Sequence, residues 1–357
     1  MPMLHQKLKA IPTNRYIDMG AFAFLAIFPL LFSPFRTELM AKVLVYIIFA
    51  ISLDLLWGYT GLMSMGHAVL FGTGGYVIAL SYTFIKGIPW YMQQVGIEKT
   101  PALFVPLLNP AVAFIVALAI PALIAWFIGT FIFSSRISGT FFSLITLALA
   151  QIFELFVTNQ HIYTNGSNGM GGLERSLLGS GPISLNALYY ILFTVVLLVY
   201  FFCIWLTSTR FGTVLQAIRE NEPRLTFLGY KPNRFKIAVY VVSGLLAGLA
   251  GVLYIPTNGF ISPTEVGLTL STLLLVWVAI GGRGNLTGAI MGTILINWAQ
   301  TLLSEQIADY WMLIMGIVVL IFVFFLPDGF IGKLIATQYA HAGAKRKNAE
   351  ADRKEVC

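Results

Sequence analysis

The sequence predicts an all-α integral membrane protein of about ten transmembrane helices, in a range of eight to ten. Three observations predict it. Only 10% of the 357 residues are charged, 58% are hydrophobic, and the apolar residues fall in long runs separated by short basic loops. A soluble domain carries about 25% charged residues. A deficit of this size places most of the surface in lipid, and 28 Phe residues suit helices that are apolar on every side.

A helix crosses a bilayer in about 20 mostly apolar residues. The first candidate, 17–33, follows Lys7, Lys9 and Arg15. It ends in Phe32-Ser33-Pro34 with no small-residue cleavage site, so it reads as an uncleaved span rather than a signal peptide. The others are 40–57, 66–85, 109–133, 139–158, 188–207, 235–256, 267–281, 286–303 and 309–327. Gly clusters bound or interrupt the third, eighth and ninth. If the N-terminus lies in the cytoplasm, 17 of the 22 Lys and Arg fall inside, and only Arg36, Lys42, Lys86, Lys99 and Arg175 fall outside. This bias predicts a multi-pass membrane protein with both termini cytoplasmic and an even number of spans. Eight spans plus two re-entrant pieces would preserve most of the bias. The expected organisation is an N-tail at 1–16, a transmembrane domain at 17–332 with a cytoplasmic loop at 208–236, and a basic tail at 333–357. The basic residues are spread over loops, which argues against a nucleic-acid partner. Cys203 and Cys357 form no CxxC, so neither a disulfide framework nor a metal site is expected.

Two Gly-rich stretches interrupt the apolar pattern. One is Trp57-Gly58-Tyr59-Thr60-Gly61-Leu62-Met63-Ser64-Met65-Gly66-His67, continuing through Gly72, Gly74 and Gly75. The other is Ile280-Gly281-Gly282-Arg283-Gly284-Asn285-Leu286-Thr287-Gly288, continuing to Gly292. Unwound backbone at membrane depth is tolerated only where it is buried in protein or lines a cavity. Paired interruptions in two halves point to a transport pathway and suggest an internal, inverted repeat. The plainer reading is that Gly lets helices pack closely.

Polar groups inside spans are costly, and each is a candidate for a solute pathway. The candidates are Asp54, Trp57, Tyr59, Ser64, His67, Thr146, Gln151, Glu154, Trp277 and Asn297. Gln151 and Glu154 share a helix face at i and i+3, as do Asn297 and Gln300. The competing reading is a hydrogen bond between packed helices, or for His67 a helix end at the cytoplasmic interface. No Lys or Arg stands well inside a span on this reading.

The loop 208–236 places Val214, Leu215 and Ile218 on one helix face. Pro223 follows, then Leu225, Phe227, Leu228 and Gly229. It reads as a short helix–turn–helix elbow whose exposed apolar residues suit docking to another protein.

Here the sequence resembles a known family. Arg210-Phe211-Gly212, Gln216-Ala217-Ile218-Arg219-Glu220-Asn221-Glu222 and Leu228-Gly229 look like the coupling loop of the high-affinity branched-chain amino acid permeases. The blocks Gly58-Tyr59-Thr60-Gly61, Ser64-Met65-Gly66-His67, Ala247-Gly248-Leu249-Ala250-Gly251, Gly281-Gly282-Arg283-Gly284 and Leu326-Pro327 are similar to the same family, in order across about 50–330. The urea-transporter branch is the nearer resemblance, through Asp54, Trp57, Phe141-Phe142-Ser143-Leu144, Trp277-Val278-Ala279 and Tyr310-Trp311. Thr226 departs from the small Ala usual in the coupling helix, and 164–172 follows the family pattern only in part.

The resemblance implies the permease subunit of an ATP-binding-cassette importer. It implies a second homologous permease subunit, two ATPase subunits that bind ATP and Mg2+, and a periplasmic solute-binding protein. ATPase coupling would fall to Arg210, Gly212, Ala217, Arg219, Glu220, Asn221, Leu225, Phe227, Leu228 and Gly229. The chain has no G-x-x-x-x-G-K-[ST] loop, so hydrolysis is expected in the partners and not here. Urea is the first substrate reading and branched-chain or other amino acids the second. A stand-alone channel or secondary transporter would need no elbow, and an intramembrane enzyme would need a catalytic pairing that the spans do not show.

Overall fold

A computed structural model of the chain describes residues 15–135, 139–176, 181–306 and 316–317. Its long helices are α1 (Arg15–Leu31), α2 (Pro34–Thr60), α3 (His67–Lys86), α4 (Pro110–Ser134), α5 (Thr140–Asn159), α6 (Leu185–Ser208), α7 (Arg210–Phe227), α8 (Pro232–Asn258), α9 (Leu268–Gly281) and α10 (Leu286–Gln306). All but α7 coincide with predicted spans, because hydrophobic runs bounded by Pro, Gly and charge leave little freedom in where a span starts or stops. Seven of the described helices are long and apolar enough to cross a membrane, and α1 and α9 are shorter apolar helices. The predicted tenth span at 309–327 lies almost wholly outside the described residues. So do Tyr310-Trp311, Leu326-Pro327, Arg136, most of the N-tail and the tail at 333–357.

At the centre α2 is buried along most of its length, whereas α4 and α5 turn most of their surface outward. Helix α8 packs on α2, α3 and α4, α6 on α2, and α9 on α10. Contacts between sequence-distant loops sort the chain into two ends. At one, Glu38 pairs with Arg175 at 2.5 Å and Lys86 with Glu174 at 3.0 Å. At the other, α7 packs against α2, α6 and α8. This sorting is the alternation expected of a chain that crosses repeatedly.

The first predicted break is shorter than the sequence suggests. Helix α2 continues through Trp57–Thr60 and stops at Gly61, whose φ of 77° is the left-handed conformation that favours Gly. Residues 62–65 then run without helix along α5. The Ser143 hydroxyl donates to the Met63 carbonyl at 2.7 Å, and the Met65 N–H donates to Thr146 Oγ1 at 3.1 Å. Helix α3 starts at His67, opposite Ser52. Ser52 stands eight residues before the end of α2, about 12 Å along its axis. The unwound segment therefore climbs back beside α2, with its backbone satisfied by protein as burial demands. Gly72, Gly74 and Gly75 lie inside unbroken α3, where Gly74 meets Gly248 of α8. They serve close packing rather than a break.

The second break is confined to 282–285. Gly282 and Gly284 have φ of 108° and 78°. Asn285 then caps α10, its Oδ1 accepting from the Thr287 N–H at 3.1 Å. Gly288 and Gly292 are helical. A third irregular segment, 259–267, fills the interval between the helices that match predicted spans 235–256 and 267–281. It precedes α9, which has only 14 residues and so spans about 21 Å. It is held by a β-bridge between Ile261 and Met170 and by a 3-10 turn at Pro263–Glu265.

Candidate functional site

The elbow is helix α7, kinked at Asn221, where φ is −161° and ψ 89°. Asn221 Oδ1 accepts from the Arg224 N–H at 2.9 Å and so starts a second short helix, with Pro223 in its first turn. The turn therefore falls two residues before the Pro that announced it. Gly212 sits against the Thr207 carbonyl at the α6–α7 corner, and Gly229 ends the elbow with φ of 86°. Phe227 and Leu228 are 90% and 69% exposed, as the docking reading requires. Leu225 corrects that reading. It is only 7% exposed and anchors the elbow with Leu215 and Ile218. The face is set by the kink, which local spacing does not reveal. Arg210, Glu220 and Asn221 are exposed and Ala217 is half-buried.

Arg219 joins the elbow to both breaks. Its guanidinium donates to the Gly58 carbonyl in the last turns of α2, and its stem lies against Gly61. From the other side, Asp54 Oδ1 accepts from the Gly284 N–H at 2.6 Å. Gly58 stands where these meet. A Cβ there would lie 2.3 Å from Asp54 Oδ1 and 2.4 Å from the Gly284 nitrogen. Asp54 is fully buried, and its Oδ2 has no partner among the described residues. Arg283 sits 6.0 Å over the Trp57 ring and adds a cation–π contact between the same two segments. The far end of the elbow is tied to α8 by Lys236 and Glu222 at 2.6 Å.

The other predicted pathway residues do not form one site. His67 is fully buried, not interfacial. Its Nε2 meets the Ser52 hydroxyl at 3.0 Å and the Ser243 hydroxyl at 3.2 Å. Both hydroxyls donate elsewhere, to Phe49 O and Ser52 O, so Nε2 carries the proton in this arrangement. Ser52 and Ser243 were missed because a Ser in an apolar helix gives no signal of its own. Ser64 and Thr146 are buried beside the first break, and Tyr59 is buried near the end of α2. Gln151 is exposed on α5, while half-buried Glu154 lies beside Gly267. Their shared face thus divides between surface and contact. Asn297 donates to the Thr293 carbonyl of its own helix at 2.8 Å. Trp277 is buried against Tyr46, with ring centroids 4.8 Å apart.

Comparison with known proteins gives the family. Residues 35–323 match the family described as branched-chain amino acid transport system / permease component. The chain is similar to the high-affinity branched-chain amino acid transport system permease protein LivM of Escherichia coli (strain K12). Identity is 24% over 328 residues, covering 85% of this chain and 71% of that protein. It is also 24% identical over 321 residues to a probable branched-chain amino acid transport permease protein LivM of Methanocaldococcus jannaschii, covering 80% and 90%. With the ribose import permease protein RbsC of Escherichia coli (strain K12) it shares 26% identity over 225 residues, 60% of this chain and 67% of that one. No solved structure matches significantly. The family match takes in the elbow, both glycine breaks and every predicted pathway residue, and the chain belongs to the family of branched-chain amino acid transport system permease components.

Proposed function

We propose that the chain is the membrane-spanning subunit of an ATP-driven importer and that its solute is a branched-chain or related amino acid. The observation that carries the coupling half of this reading is the reach of Arg219 from α7 to Gly58, at the point where α2 meets Gly284. An ATPase subunit docked on Phe227 and Leu228 would move α7. Arg219 would pass that motion to the end of α2, and Asp54 would carry it into the 282–285 turn. The Lys236–Glu222 pair would draw α8 along. The elbow then faces the cytoplasm, as the distribution of Lys and Arg predicts. A second homologous permease, two ATPase subunits and a periplasmic binding protein complete the assembly.

The amino-acid reading is supported by the LivM relatives, named as branched-chain amino acid transport permeases, which match most of the chain. The ribose permease among the relatives shows that similar chains serve other solutes. A second reading, urea, is favoured by the resemblance carried by Asp54, Trp57, Phe141-Phe142-Ser143-Leu144 and Trp277-Val278-Ala279. Uptake of labelled leucine and labelled urea at low concentration, in cells with and without the gene, separates the two. Loss of leucine uptake alone supports the first reading, and loss of urea uptake alone replaces it with the second. Co-purification of an ATPase with the tagged chain tests the importer reading itself. A chain that moves solute at full rate without one overturns it.

A further inference from the structure

A separate polar cluster lies at the far side of His67 from the elbow, where α2, α3, α8, α9 and the irregular segment 259–267 converge. Lys42, assigned to an outside loop by charge counting, stands inside α2, half-buried. Its Nζ lies 5.7 Å over the ring of Tyr254. The hydroxyl of that same Tyr254 donates to Glu265 Oε1 at 3.3 Å. Lys42 and Glu265 thus flank one aromatic ring from two directions and lie within electrostatic reach of each other, with Glu38 also within reach of Lys42. Neither makes an ion pair among the described residues. Charges placed at membrane depth are ordinarily paired or functional.

The walls add a second observation. Tyr46 packs on Tyr254 with centroids 6.0 Å apart and on Trp277 at 4.8 Å. The Trp277 Nε1–H and the Tyr76 hydroxyl are buried with no hydrogen-bond partner among the described residues, at 1% and 6% residue exposure. Tyr76 is within electrostatic reach of Glu265. Buried donors are almost always satisfied, and two orphans beside one unpaired cation and one unpaired anion ask for a ligand. Glu265 is fixed in place. Its Oε2 accepts from the Ser262 N–H at 2.8 Å and the Ser262 hydroxyl at 2.6 Å in a capping box, which leaves Oε1 facing Tyr254. The Met170–Ile261 bridge holds the start of the same segment.

We infer that Lys42, Tyr46, Tyr76, Tyr254, Glu265 and Trp277 form a binding station for a small zwitterion, an α-amino acid with an apolar side chain. Lys42 takes the carboxylate, Glu265 takes the ammonium, the rings take the side chain, and Tyr76 and Trp277 supply the remaining donors. The station rests on the amino-acid reading above and gives that reading a place in the fold.

The test uses the whole importer in cells, with wild type, Lys42→Met, Lys42→Arg and Glu265→Gln. Uptake of labelled leucine is read beside the yield of ATPase that co-purifies with the chain. Wild type is expected to take up leucine. Lys42→Met lowers that uptake roughly tenfold or more, as loss of a charged hydrogen bond does. Lys42→Arg restores most of it, and Glu265→Gln falls like Lys42→Met, with ATPase yield unchanged throughout. The Lys42 pair decides the matter even if Glu265→Gln fails to assemble. If wild type takes up leucine and Lys42→Met stays within about twofold of it, or Lys42→Arg fails as badly as Lys42→Met, the station is wrong and the amino-acid reading stands. A wild type that takes up urea but no amino acid overturns both.

Discussion

Arg219 of the elbow helix hydrogen-bonds the backbone carbonyl of Gly58, 161 residues earlier in the chain, in the last turns of α2. A charged donor on a bare carbonyl ties a surface helix to a core helix, since a charged hydrogen bond contributes about 1.5–3 kcal/mol. Arg219→Gln should lower ATP-dependent uptake by at least about tenfold while the ATPase still co-purifies, because Phe227 and Leu228 remain in place. Lys in place of Arg should recover only part, since a point charge on a flexible stem replaces a rigid fork. Uptake at wild-type rate in Arg219→Gln would remove this link from the mechanism.

Gly58→Ala should separate α2 from the 282–285 turn. The added methyl would sit 2.4 Å from the Gly284 nitrogen and 2.3 Å from Asp54 Oδ1, both held by the same hydrogen bond. Overpacking of this kind costs about 1–3 kcal/mol. The thermal midpoint of the detergent-solubilised complex should fall, and uptake with it. A control at Gly20, where a Cβ would meet nothing within 4 Å, should leave both unchanged.

Phe227→Ala with Leu228→Ser should leave the midpoint of the isolated permease unaltered, because both side chains are exposed. The same pair should reduce ATPase co-purification by tenfold or more if they are anchors, which typically contribute at least about 2 kcal/mol. Leu225→Ala should do the opposite. It is buried, so its loss should cost about 2–5 kcal/mol of stability before it affects docking.

The Lys236–Glu222 pair should respond asymmetrically. Lys236 is 3% exposed at its side chain and Glu222 32%. Removing Glu222 strands a buried ammonium, a loss of about 3–5 kcal/mol. Replacing Lys236 by Met leaves a carboxylate that can reach water and keeps the packing under Phe133, whose ring lies 5.6 Å from Nζ. Thermal midpoints should therefore fall further for Glu222→Ala than for Lys236→Met. The reverse order would contradict the burial of this pair.

The spans, the elbow and the two breaks were legible because each is written in neighbouring residues. Hydropathy over about 20 residues sets a span. Pro110 and Asn109 open α4, Ser184 opens α6, and Gly61 and Gly259 close α2 and α8 with left-handed caps. Arg219, Asp54 and Trp57 could be nominated as costly or motif-borne groups. That they converge could not be read, since Asp54 and Gly284 are 230 residues apart. The same limit hid the serines around His67 and the way segment 259–267 is tied to Met170. Gln151 shows the same limit, because a polar residue on an apolar helix announces its cost without saying which way it faces, and the structure turns it outward.

The sequence by itself determined that this chain is helical, crosses a membrane many times, and carries an elbow between two apolar spans. Those properties follow from local composition and from a helical period that every short window repeats. Only the tertiary structure decided that one arginine on the elbow reaches the crossing of both glycine turns. It alone put Lys42 and Glu265 on either side of one tyrosine and buried Leu225 while leaving Phe227 exposed. Those facts depend on how helices far apart in the chain are rotated and staggered against one another, and packing energy summed over the whole bundle sets that geometry.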